Sequence, residues 1–296
     1  MSIFVSIASF MDPTLTRTIQ RAMDKADNPE HLVFGLGLQY EQEPDLSFVP
    51  DRQLRTISYH PDTRPGIVKI RYEISQLFDN EDYFLMIDSH MQFRQGWDTE
   101  LIDVMKDLQV RTKNYKVAVF PLGLYGEEAM TSRFKLQQRH SDILPLVVGS
   151  EPINGRAIPK SKIEKISYMR VGQIFFDGRF ISEVGLDSRS QYSQEQAYLG
   201  FRAFMAGWDV YQYHEDVMTH DDYEYIKAID QIKAKQFGAV PEAHNAEEHM
   251  TMAYIYNKGP YAIKDAVREP ADYWSFNLSF FEYTRAKKIL DNFLGY

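Results

Sequence analysis

Two side chains of the metal-binding type stand two residues apart at Asp88 and His90, with Ser89 between them. In an extended segment, residues two apart point the same way, so carboxylate and imidazole can face one ion while Ser89 turns aside. That donor pair suits Mn²⁺, with a diphosphate and water completing the sphere. The ion's job would be to neutralise negative charge growing on a phosphate leaving group, as a Lewis acid. An isolated Asp-x-His is more often a turn cap beside a surface histidine, so a third ligand is needed. His214 and His220 are both candidates, and spacing does not choose between them. Glu195 offers a carboxylate to a transferred sugar or an acceptor hydroxyl, or simply favours the dipole of a helix N-terminus. Lys69 and Arg71 can neutralise a diphosphate or be solvated.

The elements that must position these residues are legible around them. Tyr83-Phe84-Leu85-Met86-Ile87 is an apolar run bounded by charges, as in a buried central strand, and Asp88 directly follows it. Ile3 to Ser9 and His31 to Gln39 also read as strands. Between them Asp12 and Pro13 start a helix through Leu15, Ile19 and Met23, with Asp12 as N-cap. Strand, helix, strand predicts a βαβ unit with parallel pairing. In open α/β sheets ligands bind at the carboxyl ends of the strands, where Asp88 falls. Further helices are expected over Ile67–Phe78, Trp97–Leu108 and Ser193–Ala206. Val117–Phe120, Ile174–Phe176, Phe180–Ile181 and Trp208–Tyr211 read as strands. Residues 126–165 read as long loops near a site, and the last 70 or so as mostly helical.

The 296 residues suffice for one large α/β domain, and their 44% hydrophobic and 25% charged content is that of a globular protein. The formal net charge of -9 gives no general electrostatic case for nucleic-acid binding. The absence of cysteine excludes disulfides and thiolate metal sites. There is no Walker-type phosphate loop, and Gly35-Leu36-Gly37 lies inside a strand instead of following one. His244 to His249 lacks the helical spacing of a zinc protease. No run has membrane-spanning length, and the apolar start reads as a strand, so no membrane association and a cytoplasmic location are expected. The C-terminal aromatics Tyr273, Trp274, Phe276, Phe280, Phe281 and Tyr283 fit core packing better than a homodimer interface.

The segment Asp88-Ser89-His90-Met91-Gln92-Phe93, with Gly96-Trp97-Asp98, resembles the Asp-Ser-His-Met-Arg-Phe…Gly-Trp-Asp signature of the cytoplasmic polypeptide (hydroxyproline) GlcNAc-transferases. Those enzymes are similar in turn to mucin-type polypeptide GalNAc-transferases. Ser6-Ile7-Ala8-Ser9-Phe10 with Asp12-Pro13 resembles that family's opening, and Arg64-Pro65-Gly66…Arg71 its Ala-Arg-Gly…Arg segment. Gly172 with Phe175 resembles its Gly-Gly-x-x-Phe. Glu195…Arg202…Gly207-Trp208-Asp209 resembles its Glu-Glu…Arg…Gly-Tyr/Trp-Asp. Met11, Phe10, Gln92, Val171 and Gln194 depart from the pattern.

The resemblance implies a GT-A fold, Rossmann-like in its nucleotide-sugar binding, over residues 1–225. Residues 226–296 would form a helical extension packed on the same domain. It implies a UDP-sugar donor, GlcNAc-like, and Mn²⁺ or Mg²⁺ held by Asp88, His90 and His220, with His220 preferred over His214. It implies donor contacts from Ser6, Ala8, Ser9, Phe10, Arg64, Arg71, Asp88, Ser89 and Gly172, and catalytic-side carboxylates at Glu195 and Asp209. Transfer would retain anomeric configuration. The acceptor would be a hydroxyl on a protein, with a glycan or a hydroxymethylated DNA base as the alternative. A DNA acceptor would call on Arg133, Lys135, Arg139, Lys160, Lys162 and Lys165. An inactive sugar-nucleotide-binding protein is the alternative of another class.

Overall fold

The computed structural model describes residues 1–63, 65–121, 131–138, 146–153, 161–166, 169, 171–189, 192–221, 252–276 and 280–295. Its first part is the expected unit: β1 (Ile3–Phe10), α1 (Leu15–Lys25) and β2 (Leu32–Gln39), with β1 and β2 parallel from Ile3↔Leu32 to Phe10↔Gln39. An edge strand β3 (Leu54–Tyr59) adds to β2. Its residues are at best half-buried, so no apolar run announces it. Next come α2 (Ile67–Ser75), β4 (Tyr83–Ile87), β5 (Met91–Phe93), α3 (Trp97–Thr112) and β6 (Val117–Pro121). Residues 126–165, expected as loops, hold an antiparallel pair, β7 (Thr131–Gln138) with β8 (Leu146–Ile153), and the strand β9 (Ile163–Ile166). After β10 (Gln173–Asp177) the chain forms α4 (Arg179–Glu183), so Phe180 and Ile181 are helical and not a strand. Then follow α5 (Tyr192–Met205), β11 (Asp209–Tyr213) and β12 (Met218–His220).

Eight strands form one sheet in the order β3-β2-β1-β4-β10-β6-β11-β9. β1 to β4, β6 and β11 run one way, while β10 and β9 run against their neighbours. Successive side chains of a strand face opposite sides, and here both sides are covered. Val5, Ile7, Leu85 and Ile87 pack with Leu15 and Ile19 of α1 and Leu101 and Met105 of α3. Phe4, Phe84 and Met86 pack on the other face with Ile70 and Ile74 of α2 and Leu199 of α5. The glycines of β2 serve this second layer. A Cβ on Gly37 would lie 2.2 Å from Cγ2 of Ile70, so α2 can sit this close only over a bare backbone.

A third cluster joins α5 to the C-terminal part. Tyr198, Phe201 and Met205 pack with Tyr254, α6 (Pro270–Phe276) and α7 (Phe280–Leu294). Tyr273, Trp274 and Tyr283 are buried there, as expected of core aromatics. The Tyr198 hydroxyl donates to the Tyr261 carbonyl at 2.8 Å. Among the described residues no helix is long and apolar enough to cross a membrane.

Candidate metal and nucleotide site

The site forms where the forward strands end. Asp88 follows β4, and its N–H donates to the Gly172 carbonyl at 3.1 Å, just before β10 begins. A Cβ on Gly172 would stand 2.4 Å from Oδ2 of Asp88, so the carboxylate occupies space that only glycine leaves free. β5 and β12 form a small antiparallel ribbon in which His220 pairs with Met91. Asp221 N–H donates to the His90 carbonyl at 2.8 Å, and Gln173 Nε2 ties the ribbon to the sheet through the Met218 carbonyl at 3.0 Å. Gln92 donates to Oδ2 of Asp221 at 2.5 Å, closing the ribbon's end.

Asp88, His90 and His220 thereby converge, with one ligand atom from each within 4.8 Å of the others. Nε2 of His220 lies 3.3 Å from Oδ2 of Asp88 and 2.9 Å from Nε2 of His90. Ligands held at about 2.1 Å and at right angles around a cation are separated by about 3 Å, so the three donors fit a divalent ion. The donor chemistry, one carboxylate and two imidazoles, suits Mn²⁺. Arg71, 4% exposed, reaches over from α2. Its Nη2 meets Oδ1 of Asp88 at 3.0 Å and its Nη1 meets Oε2 of Glu195 at 2.6 Å. Loss of water opposes charge on Asp88. The His220 hydrogen bond and the nearby Arg71 and histidines outweigh it and hold the carboxyl below its ordinary range.

The sequence matches the Glycosyltransferase (GlcNAc) family model over two overlapping stretches, residues 2–52 and 41–228, well over half of the chain. The chain belongs to that family. No individual curated protein sequence matches it. Among solved structures it is similar to GalNAc-T7, whose crystal structure holds UDP, GalNAc and Mn²⁺. The TM-score is 0.51 at 12% identity, over 85% of this chain and 54% of that one. This glycosyltransferase-family chain therefore spans about half the length of that relative. It is also similar to residues 1–349 of TarS from S. aureus, with a TM-score of 0.45 and 11% identity over 97% of this chain and 81% of that one. The mixed sheet and the likeness to GalNAc-T7 make the fold GT-A.

The family member's other expected site residues divide. Ser9 and Phe10 end β1 at the same edge, and the Ser9 hydroxyl contacts that of Tyr40 at 2.5 Å. Ala8, just before them, is buried against the second core. Ser6 is not at the edge. It sits mid-strand between Gly35 and Met86 and is 1% exposed. Arg64 lies outside the described residues. Lys69 is surface-exposed beside Glu73, so only Arg71 of that pair faces the site. Ser89 turns inward and donates to Oδ2 of Asp12 at 2.5 Å. His214 packs near Glu164 at 3.4 Å, away from the cluster.

Asp209 stands at the opposite edge. β11 runs parallel to β6 with Asp209 beside Val117, so it begins where β6 begins, and the carboxylate pairs with Lys165 and Arg268. It is a strand-start residue and is not brought to the metal donors. Glu195 is brought there, but its Oε2 is taken by Arg71. Asp12 is the residue the sequence reading missed. Expected as the N-cap of α1, a position that falls instead on Thr14, it meets Nδ1 of His90 at 2.8 Å through Oδ2. α1 itself begins at Leu15. The available signal was its position: two residues past β1, at the edge where Asp88 ends β4.

Proposed function

We propose that the protein transfers a GlcNAc-like sugar from a UDP-sugar to a hydroxyl acceptor on a protein, with a divalent cation held by Asp88, His90 and His220. The observation that carries this reading is the convergence of those three donors, from two separate sheets, on one point of the strand edge. When bound, the cation would neutralise charge on the departing diphosphate. Arg71 adds a fixed positive charge beside Asp88, and Glu195 holds Arg71 in place through a buried ion pair. Glu195 thus acts through Arg71. No protein nucleophile is assigned, in keeping with retention of configuration, in which the leaving phosphate oxygen takes the acceptor proton. The ends of β1 and β2 near Ser9, Phe10 and Tyr40 offer the nucleotide its place. Residues 226–296 are proposed to extend the same domain.

A protein acceptor is favoured over DNA by the basic residues that DNA would use. Lys162 pairs with Glu215 at 3.1 Å and Lys165 with Asp209 at 2.8 Å, so neither adds net positive charge to a groove. Arg139 and Lys160 lie outside the described residues, as do the side chains of Arg133 and Lys135.

The test is UDP release from a panel of UDP-sugars, with Mn²⁺ or with a chelator. Metal-dependent release from one donor is expected, with UDP-GlcNAc the leading candidate. Asp88→Ala and His220→Ala are each expected to abolish metal-dependent UDP binding while the protein stays folded. No release from any donor, together with UDP binding that ignores the metal, overturns the proposal.

A further inference from the structure

We infer that Asp12 is a positioning residue that fixes which nitrogen of His90 faces the cation and so sets the affinity for it. The inference rests on the metal reading of Asp88, His90 and His220 and extends it one shell outward.

The two oxygens of Asp12 do different work. Oδ1 accepts from the Thr14 N–H at 2.8 Å and the Thr14 hydroxyl at 2.7 Å, which orders the turn before α1. Oδ2 has no part in that turn. It accepts from the Ser89 hydroxyl at 2.5 Å and lies 2.8 Å from Nδ1 of His90. The side chain is fully buried, so these partners replace the water it has lost. Thr14 and Ser89 together point three donors at it, the surroundings of an ionised carboxylate.

An ionised carboxylate can only accept hydrogen bonds. Nδ1 of His90 must therefore carry a proton, and in the neutral ring the lone pair is then on Nε2. Nε2 is the atom that faces His220, 2.9 Å away, inside the donor cluster. Histidine ligands in metal sites generally donate their second ring nitrogen to a carboxylate or carbonyl, which fixes tautomer and ring orientation. Asp12 meets that requirement. Thr18 completes the support, its hydroxyl donating to the Ser89 carbonyl at 2.8 Å. The segment before α1 is thus joined to the metal donors by one buried carboxylate.

Asp12→Asn is the informative substitution. An amide keeps one accepting oxygen, which the two Thr14 donors claim. Its NH₂ then faces His90, Nδ1 must accept, and the ring proton moves to Nε2, where it removes the lone pair from the cation. Mn²⁺ affinity, read from the spin-resonance signal of free Mn²⁺, is expected to fall about 10- to 100-fold. The melting temperature of the metal-free protein should stay near that of the parent. A second measurement needs no altered Asp12. In a long-range ¹H–¹⁵N spectrum of the unsubstituted protein, His90, assigned by its absence in His90→Gln, is expected as the Nδ1–H tautomer.

A folded Asp12→Asn variant that binds Mn²⁺ within about twofold of the parent overturns the inference, as does an Nε2–H tautomer. If Asp12→Asn does not fold, the spectrum decides. A parent that binds no Mn²⁺ defeats the metal reading itself. A parent that binds, with an equally competent Asp12→Asn, defeats only the role of Asp12.

Discussion

Asp88 presents its two oxygens to different partners: Oδ1 takes Arg71, while Oδ2 faces His220. This division leaves little tolerance around the carboxylate, and Gly172 is the neighbour that provides it. Gly172→Ala puts a methyl 2.4 Å from Oδ2, and the nearest atoms belong to the carboxylate, so Asp88 must turn. The expected outcome is at least a tenfold loss of Mn²⁺ affinity with the fold intact, checked by calorimetric titration and a melting curve. Unchanged affinity would mean that Oδ2 is not a ligand. Arg71 is a different case, because it spans two carboxylates with one planar fork, a geometry lysine does not offer. The shared direction of Asp88 and His90 is legible in their spacing, and the approach of His220 follows only from the family resemblance. The contact of Asp12 is not legible, because an Asp before Pro and a helix already has a complete explanation as a cap. Asp209, implied by the resemblance, stands at the start of β11, and a carboxylate beside a strand does not reveal at which end it falls.

Among the elements, the long apolar strands were legible and the short or half-exposed ones were not. β1, α1, β2 and β4 each bury a continuous stripe or both faces, and their patterns in the sequence are correspondingly strong. β3 alternates between half-buried and exposed positions, and β12 has only three residues, so neither rises above its surroundings. The direction of β10 could not be read, since an apolar run looks the same both ways. The Gly96-Trp97-Asp98 part of the resemblance turns out to be scaffolding. Trp97 donates to the Ala22 carbonyl at 2.9 Å, and Asp98 accepts from the Asp27 and Asn28 N–H groups, fixing α3 against the end of α1. The contact of α2 with β2 is equally tight. Gly37→Ala is expected to cost about 1–3 kcal/mol from overpacking against Ile70, measured by urea denaturation. A neutral result would show that α2 can shift freely outward.

At the scale of the whole molecule, two cores flank the sheet and a third binds the C-terminal helices to α5. Phe201 is fully buried in that third core, with its ring 4.7 Å from Tyr254 and 5.3 Å from Tyr273. Phe201→Ala should cost about 3–5 kcal/mol, and a single unfolding transition in the variant would show that the C-terminal part melts with the rest. The same junction carries a pH dependence. Arg189 holds the Pro260 carbonyl at 2.6 Å and is itself held by Asp187. Burial opposes the charge on Asp187, but the Arg189 bonds win and depress its pKa on folding. Its contribution is therefore intact at neutral pH and is lost as pH falls through the depressed value, below about 4. Urea midpoints should drop in acid, and less steeply for Asp187→Asn; equal slopes would remove Asp187 from the account. Last, consider the strand that runs backwards. The forward strand β6 ends at Pro121 and the reversed β10 starts at Gln173, so the chain departs from and returns to the sheet at one rim. Among the described residues between these two points, β7 and β8 pair with each other and β9 borders the sheet beside β11. Exchanging β7, β8 and β9 would leave in place Gly172, the end of β4 and the β5–β12 ribbon, and with them the seat of Asp88, His90 and His220.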